Sequence, residues 1–209
     1  MDRAKEYLTE LSAATVRANA EVSDRIRDPA LSGLILAKSV QASEQGTALE
    51  VSPMSRLGED LDPGLRDDLL LIVGNLLDNA LEATGEGGWT ELLVRHHETP
   101  GPGEERSGES QPGEEPSGQE IPDAGWLEVR VADSGPGIEP AQAERVFAAG
   151  FSTKGAPGDD RRGLGLALVR QACRRWGGGV ELDAGGRTVF TARIPVARDL
   201  SGTVSHPLG

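Results

Sequence analysis

The sequence predicts an α+β fold, a two-layer sandwich in which helices cover one face of a mixed β-sheet. Apolar residues recur at helical spacing in several long stretches, whereas other, shorter stretches alternate apolar and polar residues as strands do. The two kinds of stretch follow one another without strict alternation, which is typical of this fold class. At 209 residues, we expect one globular domain with additional segments.

Two helices are predicted ahead of the sheet. Residues 2–27 contain neither glycine nor proline, and five of their residues recur at roughly helical spacing: Leu8, Leu11, Thr15, Val22 and Ile26. Asp28 can cap a second helix that starts at Pro29 and stops at Gly46. The apolar stripe of the first helix needs a partner, so we expect either a weak homodimer or packing against the second helix.

The remaining elements belong to the sheet and the helices that cover it. A short strand over 48–53 precedes a long helix that begins after Pro63 and ends at the glycine cluster 85–88. Further strands are predicted at 89–96, 125–133, 178–186 and 187–196, with a short helix near 141–147 and a longer one over 164–176. The tail, 198–209, shows no pattern, and we expect it to be flexible.

An acidic insert separates two of the predicted strands. Residues 98–124 consist almost wholly of Gly, Pro, Glu, Ser and Gln, and such a composition buries too little apolar surface to offset the entropy of ordering. We therefore predict a disordered loop. The insert carries eight acidic residues and one arginine, so about half of the net charge of −13 lies outside the fold.

The composition argues against several classes of protein. An acidic chain without clustered Lys and Arg does not suit a nucleic-acid-binding surface. No apolar run reaches the about 20 residues of a membrane span, so we expect no direct membrane contact and a cytoplasmic location. Cys173 is the single cysteine, which fits a reducing compartment, and we interpret it as a small buried apolar residue.

The long helix carries a polar stripe. Asn75, Asn79 and Glu82 stand at i, i+4 and i+7, so they share one face of a helix whose other face is rich in leucine. Amides on a half-buried helix are costly unless something binds them. The stripe is therefore either an exposed face or a binding face on which the Asn79 amide oxygen is a ligand of Mg²⁺.

Two glycine pairs are candidate nucleotide contacts. Asp133 ends an apolar strand, where its carboxylate can accept a hydrogen bond from an exocyclic amine, and Gly135 and Gly137 let a planar ring approach the backbone. Gly163 and Gly165 open a helix whose free amides suit phosphate oxygens. Taken singly, the first is better explained as an ordinary turn, and the second is also consistent with a capped helix after a mobile loop. The spacings match neither a P-loop nor a dinucleotide-binding fingerprint.

The order and spacing of these pieces resemble the ATP-binding domain of sensor histidine kinases, within the gyrase, Hsp90, histidine kinase and MutL superfamily. Residues 75–79, residues 133–137, "VFAAGFSTK" at 146–154 and "RRGLGLALV" at 161–169 look like the family's asparagine, first glycine, phenylalanine and second glycine boxes. The resemblance spans roughly 48–196 apart from the insert. "GFSTK" together with "DPALSGLILAKSVQASEQG" is similar to the citrate and dicarboxylate sensors in particular.

The resemblance implies a Bergerat-type ATP-binding fold and a role for each box. In the family, the residue matching Asp133 reads the adenine amine, and the residue matching Asn79 holds Mg²⁺. The residues matching Gly163, Leu164 and Gly165 approach the phosphates. The implied ligands are therefore ATP and Mg²⁺.

A flexible lid over ATP is implied between Phe151 and Gly163. The nucleotide contacts implied for the lid are Ser152, Thr153, Lys154 and Arg162. Lys154, Arg161 and Arg162 are candidate clamps for the γ-phosphate, and each is also consistent with a solvated lid charge. Phe147 is interpreted as a core or hinge residue.

The function implied by the resemblance is that of the catalytic part of a two-component sensor histidine kinase, which presents ATP to a histidine imidazole. ATP-hydrolysing relatives carry a glutamate in the place of Asn75, and an amide cannot act as the base that activates water. We therefore assign Asn75, Asn79 and Lys154 to phosphoryl transfer. Glu82 stands where many histidine kinases carry a lysine, so no phosphate role is assigned to it. The alternative is an ATP-binding interaction module, similar to anti-sigma or scaffold relatives.

The acceptor histidine is not evident in this chain. His96, His97 and His206 lie beside the insert or in the tail, and we interpret His97 as a loop histidine. We predict that residues 1–46 are a partial dimerisation and phosphotransfer region without the acceptor helix, followed by an ATP-binding domain, 47–197. The implied partners are ATP, the histidine-bearing dimerisation helix of a membrane-anchored parent kinase and a response regulator.

Overall fold

The computed structural model describes residues 21–97, 125–143, 145–148, 150, 163–198 and 204–205. Its helices are α1 (Pro29–Glu44), α2 (Pro63–Thr84) and α3 (Gly165–Arg175). Its strands are β1 (Ala48–Val51), β2 (Trp89–His97), β3 (Trp126–Asp133), β4 (Gly179–Asp183), β5 (Thr188–Pro195), β6 (Ala197–Arg198) and β7 (Val204–Ser205). Two 3-10 turns lie at Pro140–Gln142 and Arg145–Phe147.

The first five strands form one mixed sheet in the order β1-β2-β3-β5-β4. β1 pairs with β2 in parallel, and the other neighbours are antiparallel. Leu127, Val129 and Val131 of β3 are buried toward the helices, whereas Glu128 and Arg130 alternate with them on the other face. α2 contacts β2 and β3, and α3 contacts β4 and β5. The predicted α+β fold with helices on one face of a mixed sheet is confirmed.

Local signals determine where the helices begin and end. Asp28 and Asp62 accept hydrogen bonds from backbone N–H groups three residues later, at 2.9 and 3.1 Å, and a proline follows each of them. Gly46 and Gly85, just past the ends of α1 and α2, have φ angles of +69° and +72°. Residues with a side chain rarely adopt this conformation, so glycine is required there.

The segment ahead of α1 packs on the same core as the sheet. Residues 21–25 are helical, and the rest of the predicted helix 2–27 lies outside the described residues. The helix ends before Ile26, which forms a parallel bridge with Leu57. Val22 and Ile26 are buried in the core cluster that also contains Leu31 and the inward-facing apolar residues of the sheet.

Two details of the chain differ from the prediction. The helix expected near 141–147 is replaced by two three-residue 3-10 turns, because a segment of this length cannot sustain an α-helix without strong support. The tail was expected to be without pattern, yet Ala197–Arg198 pairs with Val204–Ser205 as a short antiparallel ladder. The other tail residues lie outside the part of the chain that the structure describes.

Two expectations from composition can be compared with the structure. Cys173 lies on α3 in the core, and burial raises the pKa of its thiol to about 12, so the thiol is protonated and unreactive at neutral pH. This confirms the interpretation of Cys173 as a small buried apolar residue.

Within the described ranges, the helices are too short or too polar to cross a membrane.

A buried carboxylate joins α2 to α3. Asp68 is 3 % exposed, and both of its oxygens lie within 3.0 Å of Arg175 Nη1. Its Oδ2 also accepts a hydrogen bond of 2.7 Å from Trp176 Nε1. These contacts pair the buried charge and satisfy the buried indole N–H, so they fix the end of α3 against the first turns of α2.

We expect Asp68→Ala to lower the free energy of unfolding by about 2–3 kcal/mol, because Trp176 Nε1 loses its acceptor in a buried place. Glu181→Ala is the matched control, since it removes the exposed partner of Arg193 and should change stability by about 0.5 kcal/mol or less. Urea unfolding followed by circular dichroism measures both. Equal effects of the two substitutions would contradict a structural role for Asp68.

Candidate functional site

The polar stripe of α2 runs along the flank of its leucine-rich core face. Asn75 and Asn79 are half-buried, whereas Glu82 is exposed. Asn75 Nδ2 donates a hydrogen bond of 2.8 Å to the Leu71 carbonyl of the preceding turn. Asn79 Nδ2 is buried and has no hydrogen-bond partner. A buried amide N–H without a partner is costly, so this position is a candidate for contact with a ligand.

The start of α3 lies directly against this stripe. A Cβ placed on Gly165 would lie 2.7 Å from Asn75 Oδ1, closer than side chains tolerate. Gly163 has a φ of +86°, and its carbonyl accepts a hydrogen bond of 3.1 Å from the Gly150 N–H. Leu164, the residue before the helix, makes no side-chain hydrogen bond to the N–H groups of the first turn. These N–H groups can therefore serve an anion.

Asp133 ends β3 in a buried position between two strands. It is 1 % exposed, and its Oδ1 accepts a hydrogen bond of 2.9 Å from the Gly135 N–H. A Cβ on Gly135 would lie 2.9 Å from the Ala83 carbonyl oxygen, so this turn packs on the last turn of α2. Gly137 has a φ of +84°. The glycines thus serve close backbone contact and turn geometry, and their predicted contact with a planar ring stays a prediction.

Buried threonine hydroxyls flank Asp133, and sequence reasoning missed them. Thr90 of β2 and Thr188 of β5 are the register partners of Asp133, and both are buried. Thr90 Oγ1 lies 3.3 Å from Thr84 Oγ1, which in turn donates to the Ala80 carbonyl at 2.7 Å. In the sequence, each threonine is visible only as a polar residue at the end of a predicted strand. Its position beside Asp133 becomes evident only from the pairing of the strands.

Part of the predicted site lies outside the described residues. Ser152, Thr153, Lys154 and Arg162 belong to the predicted lid, and none of them lies in the ranges that the structure describes. Phe147 is buried and meets Phe190 edge to face, with ring centroids 6.0 Å apart. It is therefore a core residue.

The donor set of the site can be tested against Mg²⁺. Within the part of the chain that the structure describes, no three acidic, histidine or cysteine side chains cluster as a metal site. The Asn79 side chain can supply one amide oxygen, a hard ligand, one helical turn after Asn75, whose Oδ1 faces Gly165. A single protein oxygen suits Mg²⁺ whose remaining ligands are phosphate oxygens and water, so the residues fit a Mg²⁺–nucleotide complex.

His97 is a strand residue, so its interpretation as a loop histidine was wrong. Its ring stacks on Trp126 with centroids 4.6 Å apart, and its Nε2 lies 2.7 Å from Glu128 Oε2. The hydrogen bond with His97 holds the pKa of Glu128 below its ordinary value of 4.5. His97 lies seven residues along β2 from Thr90, which places it about 23 Å from Asp133 at about 3.3 Å per residue.

Known proteins are similar to this chain over most of its length. A family profile described as "Histidine kinase-, DNA gyrase B-, and HSP90-like ATPase" matches residues 64–198. Sensor histidine kinase DcuS of Escherichia coli (strain K12) is 32 % identical over 173 residues, which cover 82 % of this chain and 27 % of DcuS. Sensor protein CitS of Halalkalibacterium halodurans is 34 % identical over 174 residues, 82 % of this chain and 28 % of CitS. The chain thus spans little more than a quarter of these relatives.

A solved structure shows a similar fold. Full-length ShkA in complex with AMPPNP has a TM-score of 0.53 and 23 % sequence identity. The match covers 86 % of this chain and 30 % of the ShkA chain. At this level of identity the comparison bears on the fold alone.

Gly135→Ala is expected to destabilise the fold by about 1–3 kcal/mol, because the added methyl meets a backbone carbonyl that cannot rotate away. Gly33→Ala is the matched control, since no atom lies within 4 Å of its Cβ position in α1. That change should stabilise by about 0.5–1 kcal/mol, the cost of glycine inside a helix. Urea denaturation measures both, and changes of the same sign would contradict the close approach at Gly135.

Proposed function

Because the chain belongs to the histidine kinase-, DNA gyrase B- and HSP90-like ATPase family, we propose that it binds Mg²⁺–ATP as the catalytic part of a two-component sensor histidine kinase. Its relatives DcuS and CitS are sensor kinases by name. The transferred group is the γ-phosphoryl of ATP, and the acceptor is a histidine presented by a dimerisation helix of the parent kinase. A response regulator then receives the phosphoryl group.

The observation that carries the proposal is the meeting of three segments that are distant in sequence. The asparagine stripe of α2 touches the start of α3 at Asn75 and Gly165. The last turn of α2 touches the turn after β3 at Ala83 and Gly135. The proposed adenine end and the proposed phosphate end would therefore both lie along α2.

The adenine end is assigned to Asp133 and the turn that follows it. Gly135 N–H already occupies one lone pair of Asp133 Oδ1, and the carboxylate has further acceptor capacity for the exocyclic amine of adenine. Gly135 and Gly137 allow the flat ring to lie against the backbone. The buried Thr188 hydroxyl, beside Asp133 in the sheet, is a further candidate for binding the base.

The phosphate end is assigned to Asn79 and the first turn of α3. The Asn79 amide oxygen would hold Mg²⁺, which supplies charge neutralisation to the phosphates when it is bound. The N–H groups that follow Gly163 and Leu164 have no side-chain cap and would donate to phosphate oxygens. Ser152, Thr153, Lys154 and Arg162 complete the proposed contacts from the lid segment.

Transfer rather than hydrolysis is proposed because of the amide at Asn75. Its Nδ2 is used by the Leu71 carbonyl and its Oδ1 faces Gly165, so this side chain cannot remove a proton from water. Phosphoryl transfer depends mainly on alignment and charge neutralisation, which the site can provide without a base for water.

We place this part of the kinase in the cytoplasm, with the parent protein anchored in the membrane.

Nucleotide titration by calorimetry tests the two ends of the site separately. Asp133→Asn should weaken ATP and adenosine alike by about 10- to 100-fold, because a hydrogen bond to a charged group contributes about 1.5–3 kcal/mol. Asn79→Ala should leave adenosine affinity unchanged. It should lower the factor by which Mg²⁺ increases ATP affinity by about tenfold or more. Glu82→Gln is the control and should change neither. Adenosine affinity that is unaffected by Asp133→Asn would contradict the assignment.

Incubation with labelled ATP tests the reaction. The chain should remain unlabelled, because His97 lies about 23 Å from the adenine end on a strand and is held by Glu128, while a separately supplied acceptor helix of a related sensor kinase becomes labelled. His97→Gln should behave as the wild-type chain does. Label on His97, or steady phosphate release without transfer, would contradict the proposal. ATP binding without either reaction would favour an interaction module.

A further inference from the structure

α1 lies along α2 and is joined to it by two ion pairs. Asp28 Oδ2 accepts from Arg66 Nε at 2.6 Å near the start of both helices, and Lys38 Nζ lies 2.5 Å from Asp78 Oδ1 further along. The paired residues are about 15 Å apart along α1 and about 18 Å apart along α2, at about 1.5 Å per residue. Because the pairs occur in the same order on both helices, α1 and α2 run in parallel.

The contacts of α1 fall immediately beside the asparagine stripe. Asp78, which pairs with Lys38, directly precedes Asn79. Gly74, which directly precedes Asn75, has Leu34 Cδ2 3.9 Å from the position of an added Cβ. Successive residues are about 100° apart around a helix, so α1 touches the face of α2 next to the one that carries the asparagines.

The Lys38–Asp78 pair is held more firmly than an ordinary surface pair. The Lys38 side chain is only 15 % exposed, and its Nζ also contacts Gln41 Oε1 at 3.0 Å. The Arg193–Glu181 pair on the far face of the sheet is 38 % and 70 % exposed. Asp78 is 48 % exposed, so the difference lies on the Lys38 side, where a partly desolvated ammonium group contacts two acceptors. An exposed pair of long side chains adds little.

α1 is continuous with the segment that precedes it. The backbone of Arg25 and Arg27 pairs with Leu57 through hydrogen bonds of 2.9 and 3.0 Å. Arg25 Nη1 also donates to the Val51 carbonyl at 3.3 Å. Ile26 is fully buried at this junction. These contacts fix the segment ahead of α1, and with it the start of α1, against residues 51–57.

We propose that α1 is a positioning element of the nucleotide site, and that Lys38, through Asp78, sets the position of Asn79. The inference rests on the proposed binding of Mg²⁺–ATP. α1 touches neither base nor phosphate, so Lys38 and Asp78 are positioning residues. Through the Lys38–Asp78 pair, α1 is linked to the metal and phosphate end of the site and not to the adenine end.

The measurement is the ratio of ATP affinity with Mg²⁺ to ATP affinity in excess EDTA, determined by calorimetry for the whole chain. Lys38→Glu and Asp78→Lys should each lower this ratio by about 3- to 10-fold, within the range found for residues that modulate coupling between sites. The double change Lys38→Glu with Asp78→Lys restores the pair with reversed charges and should return the ratio to within about twofold of wild type. Adenosine affinity should stay unchanged in all three variants.

Matched controls separate positioning from a loss of stability. Arg193→Glu and Glu181→Arg disturb an ion pair far from the stripe and should leave the ratio unchanged. Lys38→Met keeps the apolar stem, so it should fold as wild type and still lower the ratio.

Unchanged ratios in the Lys38 and Asp78 variants, with a wild-type chain that binds ATP, would overturn this inference and leave the proposed function standing. An equal loss in the Arg193 and Glu181 controls would overturn it as well. A wild-type chain that binds no ATP would instead overturn the proposed function, and the positioning role with it.

Discussion

Burial of the apolar face of α2 against the sheet is the constraint on which the site depends. Leu65, Leu69, Ile72, Leu76 and Leu77 have no exposed surface, and burying each such side chain contributes about 1.5–3 kcal/mol. With this face fixed, helical geometry leaves the asparagines no choice of direction, and they lie at its half-buried flank. The same packing that stabilises the fold therefore also orients the groups proposed to bind ATP.

The contacts around α2 follow from that placement. α3 approaches so closely that Gly165 has no room for a side chain beside Asn75, and the turn after β3 approaches so closely that the same holds for Gly135 beside Ala83. Gly135 in particular is thus needed for packing before any nucleotide binds. The described segments of the proposed site are held together by packing, which reduces the cost of ordering them on binding.

The sequence predicts most where the signals are local. Aspartate caps and terminal glycines place α1 and α2 to within a few residues, and leucine spacing identifies the core face of α2. The pairing of Asp133 with Thr90 and Thr188 depends on strand register, which no local pattern gives, so the threonines were missed. His97 was assigned to a loop because the insert begins next to it, whereas pairing with Trp126 extends the strand.

Backbone amide NMR during titration with Mg²⁺ and a non-hydrolysable ATP analogue tests the central claim most directly. The account predicts that shifts concentrate at three places: around Asn75 and Asn79, at residues 133–137, and at residues 163–166. Residues of the outer sheet face, such as Arg193, should stay unchanged. Absence of shifts at saturating analogue, or shifts confined to one of the three places, would contradict a single nucleotide site built from these segments.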